Sequence, residues 1–256
     1  MSGTVGVTVT QHEGGPVATV TVDNPTKANT LNMALMDEFI ATFATLAANA
    51  DLRAAVLTGG GERTFMGGAD VREMAVLDGP DAARAFITRL HHCCAAVRDL
   101  PVPVIARVNG ACFGAGLELV ASCDLRLAVD TARFAMPEVK LGIPSVIEAA
   151  LLPGLVGWGR TRHMLLLGDT FGAAEAERWG LVEQVVPAAG LDAALDAWLR
   201  SLLACPPAAI RSQKALMRRW EDVPLRDAIA AGVDAFAAAY ETGEPGRAMA
   251  EFGARR

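Results

Sequence analysis

Asn109-Gly110-Ala111-Cys112-Phe113-Gly114-Ala115-Gly116-Leu117-Glu118 is the stretch on which the fold turns. Before it, set off by Pro101 and Pro103, runs Val104-Ile105-Ala106-Arg107-Val108, whose composition is that of a buried strand. After it, Leu117 to Ser122 reads as a helix and Leu125 to Val129 as a further strand. Strand, glycine-rich turn, helix and strand in that order mark an α/β chain. Free amides where a helix opens, backed by the helix dipole, favour negative charge. Ala115 stands where such an amide can meet a developing oxyanion, although a turn that only packs tightly needs the same glycines.

The alternation extends outward. Thr4 to Thr10 and Val17 to Val22 predict paired strands about a turn at Glu13-Gly14-Gly15-Pro16. Asn32 is placed to cap a helix from Met33 to Ala48, with Leu35, Phe39, Phe43 and Leu46 on one apolar stripe. Arg53 to Thr58 reads as a buried strand stopped by Gly59-Gly60-Gly61, and a loop from Glu62 to Asp70 leads to Val71-Arg72-Glu73-Met74. Pro80 opens a helix reaching Arg98. Beyond Gly154 the pattern is chiefly helical: Gly157 to Leu167, Ala173 to Trp179, Leu191 to Ala204, Ala208 to Trp220 and Leu225 to Ala239.

Composition narrows the function. The 256 residues are 52% hydrophobic and only 20% charged, which fits a surface covered by sister subunits and also a large apolar monomer. A net charge of -6 argues against nonspecific nucleic-acid binding. Cys93, Cys94, Cys112, Cys123 and Cys205 are odd in number and irregular in spacing, as expected of buried free thiols in a reducing compartment. No signal core or membrane-length apolar run is read, so the cytoplasm is the expected location.

Several catalytic systems find no support. Gly110, Gly114 and Gly116 do not follow the Gly-x-Gly-x-x-Gly order of a dinucleotide site. The sole tyrosine, Tyr240, has Glu244 where a short-chain dehydrogenase needs lysine. There is no Gly-x-Ser-x-Gly elbow and no phosphate-binding Gly-x-x-x-x-Gly-Lys loop. His91-His92 reads as a helix-surface pair rather than a zinc site.

Two other places can carry chemistry. In Phe65-Met66-Gly67-Gly68-Ala69-Asp70-Val71, paired glycines allow close backbone approach and the Ala69 amide can donate to an oxyanion, while a purely structural loop remains the alternative. Glu118, among apolar neighbours, and Glu138, fixed by Pro137, are carboxylates whose proton affinity a confined pocket would raise. An ion pair and a surface turn are their respective alternatives.

Taken in order, these segments resemble the enoyl-CoA hydratase/isomerase, or crotonase, family. The resemblance rests on Asp23-Asn24-Pro25 through Leu31-Asn32, on Phe65 to Val71, on Pro103 through Leu119, on Cys123-Asp124-Leu125, on Phe134, Pro137, Glu138 and Gly142, and on Trp179-Gly180-Leu181-Val182. It implies an α/β spiral of strand-strand-helix units over residues 1–200 and a helical packing and oligomerisation region over 201–256. It further implies a homotrimer or a dimer of trimers. Ala69 and Ala115 then supply oxyanion amides, Glu118 and Glu138 match the two hydratase glutamates, and Ala28, Ala69, Asp70 and Val71 are candidates to contact coenzyme A. Coenzyme A is part of the substrate; no cofactor, metal or membrane insertion is implied. The reaction expected is reversible syn hydration of a trans-2-enoyl-CoA, with Glu138 supplying the α-carbon proton and Glu118 positioning water. Enoyl-CoA delta-isomerisation and noncatalytic acyl-CoA binding are the alternatives.

The chain departs from the family pattern after Gly142. Ile143-Pro144-Ser145-Val146 is one residue short before proline and has Ser145 in a glycine-like place, and the familiar glycine-rich turn is missing from Ile147 to Leu152. Glu148 is expected on a helix surface, with a third pocket carboxylate as the alternative. Phe86, Leu90, Phe113, Met136 and Ile143 are candidates for either acyl pocket or core. Lys214 and Arg218 are expected on a solvated helical face, with coenzyme A phosphate as their other possible partner.

Overall fold

The computed structural model describes residues 3–254. β1 (Thr4–His12) and β2 (Gly15–Asp23) form the expected antiparallel pair. α1 (Met33–Ala47) begins where Asn32 accepts a hydrogen bond from the Leu35 amide at 2.8 Å, and its stripe of Leu35, Phe39, Phe43 and Leu46 is buried. The chain then winds through β3 (Ala54–Gly59), β4 (Thr64–Met66), α2 (Val71–Met74) and α3 (Gly79–Asp99). A second circuit comprises β5 (Val104–Val108), β6 (Ala111–Phe113) and α4 (Ala115–Ser122), and a third opens with β7 (Leu125–Val129) and β8 (Arg133–Ala135). α5 (Leu152–Leu167), β9 (Phe171–Gly172), α6 (Ala173–Trp179) and β10 (Gln184–Val186) follow, and then α7 (Leu191–Leu203), α8 (Pro207–Trp220), α9 (Leu225–Ala239) and α10 (Glu244–Ala254).

Each circuit contributes one strand to each of two sheets. The larger sheet has the order β1-β2-β3-β5-β7-β10, parallel from β2 onward, and the smaller has the order β4-β6-β8-β9. Central strands of the larger sheet are apolar without alternation because both faces are covered, as β3 shows by being buried throughout. The boundary expected between residues 200 and 201 lies inside α7, which is continuous there.

The turns that carry the chain from one sheet to the other are stacked. A side chain at Gly59 would meet the Phe65 carbonyl at 2.1 Å, and one at Gly110 would meet the Arg63 carbonyl at 2.2 Å. Asn109 ties the two turns together, its amide donating to the Gly59 carbonyl at 2.9 Å and the Gly61 carbonyl at 2.7 Å. Asn29, fully buried, does the same one layer earlier by donating to the Gly60 and Thr64 carbonyls at 2.9 and 2.8 Å. Gly59→Ala is therefore expected to cost about 4 kcal/mol, or roughly 10 °C in melting midpoint. Thermal melts followed by circular dichroism measure it; an unchanged midpoint would show that the turns relax freely.

Candidate active site

β4 and β6 run side by side and parallel, so their exits lie next to each other. β4 leads into Gly67-Gly68-Ala69 and β6 into Gly114-Ala115. A side chain at Gly68, whose φ is +99°, would come within 3.0 Å of the Phe113 carbonyl and 3.6 Å of the Ala115 amide nitrogen. One at Gly116 would reach 2.5 Å from the Met66 carbonyl. These glycines are what closeness between the segments requires.

The hydrogen bonding leaves the amides of Ala69 and Ala115 among those without a backbone acceptor. The Leu31 amide donates to the Gly68 carbonyl at 2.9 Å and the Asp70 amide to the Leu31 carbonyl at 2.8 Å, which holds Ala69 from both sides without using its own N–H. Gly114 donates to the Ala135 carbonyl at 2.9 Å and accepts from Leu117 and Glu118, as the opening of α4 demands. Neither the Ala69 nor the Ala115 amide donates to a backbone carbonyl among the described residues. Ala28, in the left-handed region at φ +52°, accepts from the Gly67 amide at 2.8 Å and so holds the first turn in place.

Glu118 lies three residues past Ala115, on the same side of α4. It is 4% exposed, and its Oε1 accepts the Ala149 amide at 3.3 Å. Burial pushes its carboxyl up to about 8; negative charge on Glu138 and on Glu148 adds to this, and the Ala149 amide opposes it. Half-buried Glu138 opens the single 3-10 turn Glu138–Leu141, where Pro137 aims it inward. Its Oε2 accepts from the Ser145 hydroxyl at 2.8 Å, and its Oε1 lies so near Gly114 that a Cβ there would sit 2.7 Å away. The arrangement offers paired N–H donors beside two carboxyl groups, one of them holding its proton at neutral pH. That set can receive negative charge on a carbonyl oxygen and move a proton next to it.

The four residues Ala69, Ala115, Glu118 and Glu138 are thus brought together. Of the other expected contacts, Ala28 and Val71 are exposed, whereas Asp70 is buried and its Oδ1 caps α2 through the Arg72 amide at 2.9 Å. Phe86, Leu90 and Met136 are core residues, Phe113 is half-buried, and Ile143 is exposed.

Three expectations need correction. Glu148 does not lie on a helix surface: it is 7% exposed in the 3-10 turn Ile147–Leu151, because that turn folds inward against α4. His91 and His92 are both exposed on α3, as a helix-surface pair should be, and His91 Nδ1 in addition lies 2.8 Å from Glu148 Oε1. Lys214 is 6% exposed rather than solvated, because its Nζ donates to the Val102 carbonyl at 2.9 Å and pairs with Asp124 at 2.8 Å; neither it nor Arg218, paired with Asp222 at 3.1 Å, is held free for a phosphate. Cys205 is exposed, unlike the other four thiols.

Ser145, in the glycine-like place after Pro144, supplies the hydroxyl that holds Glu138. A spacing of seven residues after Glu138 was the available signal. Nothing in the sequence joins His91 to Glu148 across 57 positions. Among the described residues, no group of three or more His, Cys, Asp or Glu is arranged to hold a metal ion, and no helix is long and apolar enough to cross a membrane.

Comparison with known proteins agrees with this architecture. A sequence model of the enoyl-CoA hydratase/isomerase family matches residues 12–256. A carnitinyl-CoA dehydratase from Citrobacter koseri is 35% identical over 219 residues, covering 83% of this chain and 81% of its own. A short-chain-enoyl-CoA hydratase from Clostridium acetobutylicum is 32% identical over 239 residues, covering 93% and 91%. The crystal structure of an enoyl-CoA hydratase from Bacillus anthracis superposes with a TM-score of 0.91 at 28% identity, over 98% of this chain and 96% of that one. The two-sheet spiral is therefore the crotonase fold, and the chain belongs to the enoyl-CoA hydratase/isomerase family.

Proposed function

We propose that the protein is a hydratase that adds water reversibly across the 2,3 double bond of a trans-2-enoyl-CoA. The observation that carries this reading is the pair of unspent amides at Ala69 and Ala115 beside Glu118 and Glu138. The similarity to relatives named for adding or removing water supports it. In this reading the two N–H groups hold the thioester oxygen, which gains charge as water attacks the β-carbon; losing one such donor costs roughly 3–4 kcal/mol. Coenzyme A is the handle of the substrate, and the protein's own groups do the acid-base work. The setting we infer is the cytoplasm.

The chemistry needs one proton on the pair of carboxyls and one water between them. Glu138 gives a proton to the α-carbon, and Glu118 orients the water and takes the proton it releases. Burial rests the proton on Glu118 in the free site, and the water between the two carboxyls carries it to Glu138 before attack. Turnover is therefore expected to fall as pH rises through about 8, where Glu118 loses that proton. Stability follows the same sign. A carboxyl whose folded proton affinity exceeds its unfolded one loses stabilisation as pH climbs from the ordinary carboxylate range to about 8. Glu118→Gln should abolish this component of the pH dependence of the melting midpoint.

Incubation with enoyl-CoAs of several lengths in water enriched in heavy oxygen tests the reaction itself. Oxygen incorporation at the β-carbon is the expected result. Movement of the double bond without incorporation would make the protein an isomerase, and tight binding without turnover or α-carbon exchange would make it a noncatalytic binder.

A further inference from the structure

Glu148 occupies a costly place. It lies in the turn where the family's glycine-rich segment is missing, immediately after Ile147, which has φ +42°. A β-branched residue in the left-handed region is strained and persists only where its surroundings over-determine it. Two contacts do so. On one side, Glu148 Oε1 meets His91 Nδ1 of α3 at 2.8 Å; on the other, the next residue, Ala149, donates its amide to Glu118 Oε1 at 3.3 Å. Glu148 Oε2 is buried with no hydrogen-bond partner. For packing alone, an apolar side chain would fill that position without leaving a carboxylate oxygen unsatisfied.

We propose that Glu148, anchored by His91, is a positioning residue for Glu118: the anchor fixes the strained turn that aims the Ala149 amide, and the Glu148 charge sets the electrostatic surroundings of that glutamate. The proposal rests on the acid-base reading given above. Glu118 lies in the field of Glu138 from the Glu138–Leu141 turn and of Glu148 from its own turn, the Cys94 thiol of α3 lies in the field of both Glu118 and Glu148, and Glu148 contacts His91 of α3. His91, with a half-exposed side chain and a ring 5.8 Å from His92, joins this buried group to the surface.

The two halves of the proposal have opposite signatures. Glu148→Gln keeps the shape and a partner for His91 but removes the charge, so Glu118 releases its proton more readily and the alkaline limb of kcat moves to lower pH. His91→Ala frees the turn and loosens the Ala149 amide, so the limb moves to higher pH. Shifts of about half a pH unit in each direction are expected, a size ordinary for one charge or one hydrogen bond, with KM changed less than about twofold because neither group touches the substrate. Limbs that coincide with wild type, or that move the same way, would overturn the proposal. The pH dependence of the melting midpoint, with Glu118→Gln as the reference, reports the same shifts without substrate. If wild type lacks hydratase turnover, the functional reading falls and the melting series alone decides the positioning role. If Glu148→Gln does not fold, His91→Ala, altered at a half-exposed position, decides it by the sign of its shift.

Discussion

Glu118→Gln and Glu138→Gln each lower kcat for enoyl-CoA hydration by about 10²- to 10⁴-fold, the range that a positioned acid or base contributes. Each variant keeps a side chain of the same shape, so its fold, checked by circular dichroism, and its KM should change little. The losses should not add in the double variant, because one proton and one water are shared between the groups and removing either disables both. Glu138→Gln also separates two contributions at that site: the amide still offers an oxygen to the Ser145 hydroxyl, which wild type places at 2.8 Å, but it cannot give up a proton as the acid does. A normal rate in either variant would remove that residue from the mechanism. Steady-state loss of enoyl absorbance with purified variants measures it.

Paired substitution of Ile229 and Phe236 by Asp is expected to reduce to monomers the trimer or dimer of trimers that the family resemblance implies. α9 presents Leu225, Ile229, Val233 and Phe236 on one face, with Tyr240 just past its end, and Ile229 and Phe236 are 63% and 67% exposed. Helical spacing of four, four, three and four makes this a continuous apolar stripe, every member of which is exposed. Covering one such side chain is worth roughly 1.5–3 kcal/mol, so two charges across several copies of the interface exceed what an assembly of this size tolerates. Sedimentation velocity reads the outcome. A wild-type protein that already sediments as a monomer would refute the assembly inferred from the family resemblance.

How much was legible in the sequence depended on segment length. The hairpin, α1 and α3 span enough residues to show a period, β5 and β7 stand out as apolar runs, and the observed limits of all of them differ from the expected ones by a few residues at most. The smaller sheet escaped notice altogether. Its strands Thr64–Met66, Ala111–Phe113, Arg133–Ala135 and Phe171–Gly172 are two or three residues long, too short for alternation to register. α5 was expected from Gly157, yet it starts at Leu152; Gly157, at φ +78°, breaks it internally, and the reading began at the break. At the site, the glycines and the two glutamates could be picked out because close approach and confined charge demand particular residues. Ser145, Ala149 and His91 act through contacts that only the folded chain creates.

The two unspent amides belong to successive circuits of the spiral, so their separation is set by the spacing of neighbouring strands, about 4.8 Å, rather than by the intervening sequence. α2 and the exposed face of α3 lie in the interval between them, away from the strands that set the distance between the donors. On the proposed reading, in which these amides hold a thioester oxygen, the chamber around that oxygen can be remodelled from the connecting segments while the spacing of the donors stays with the strands.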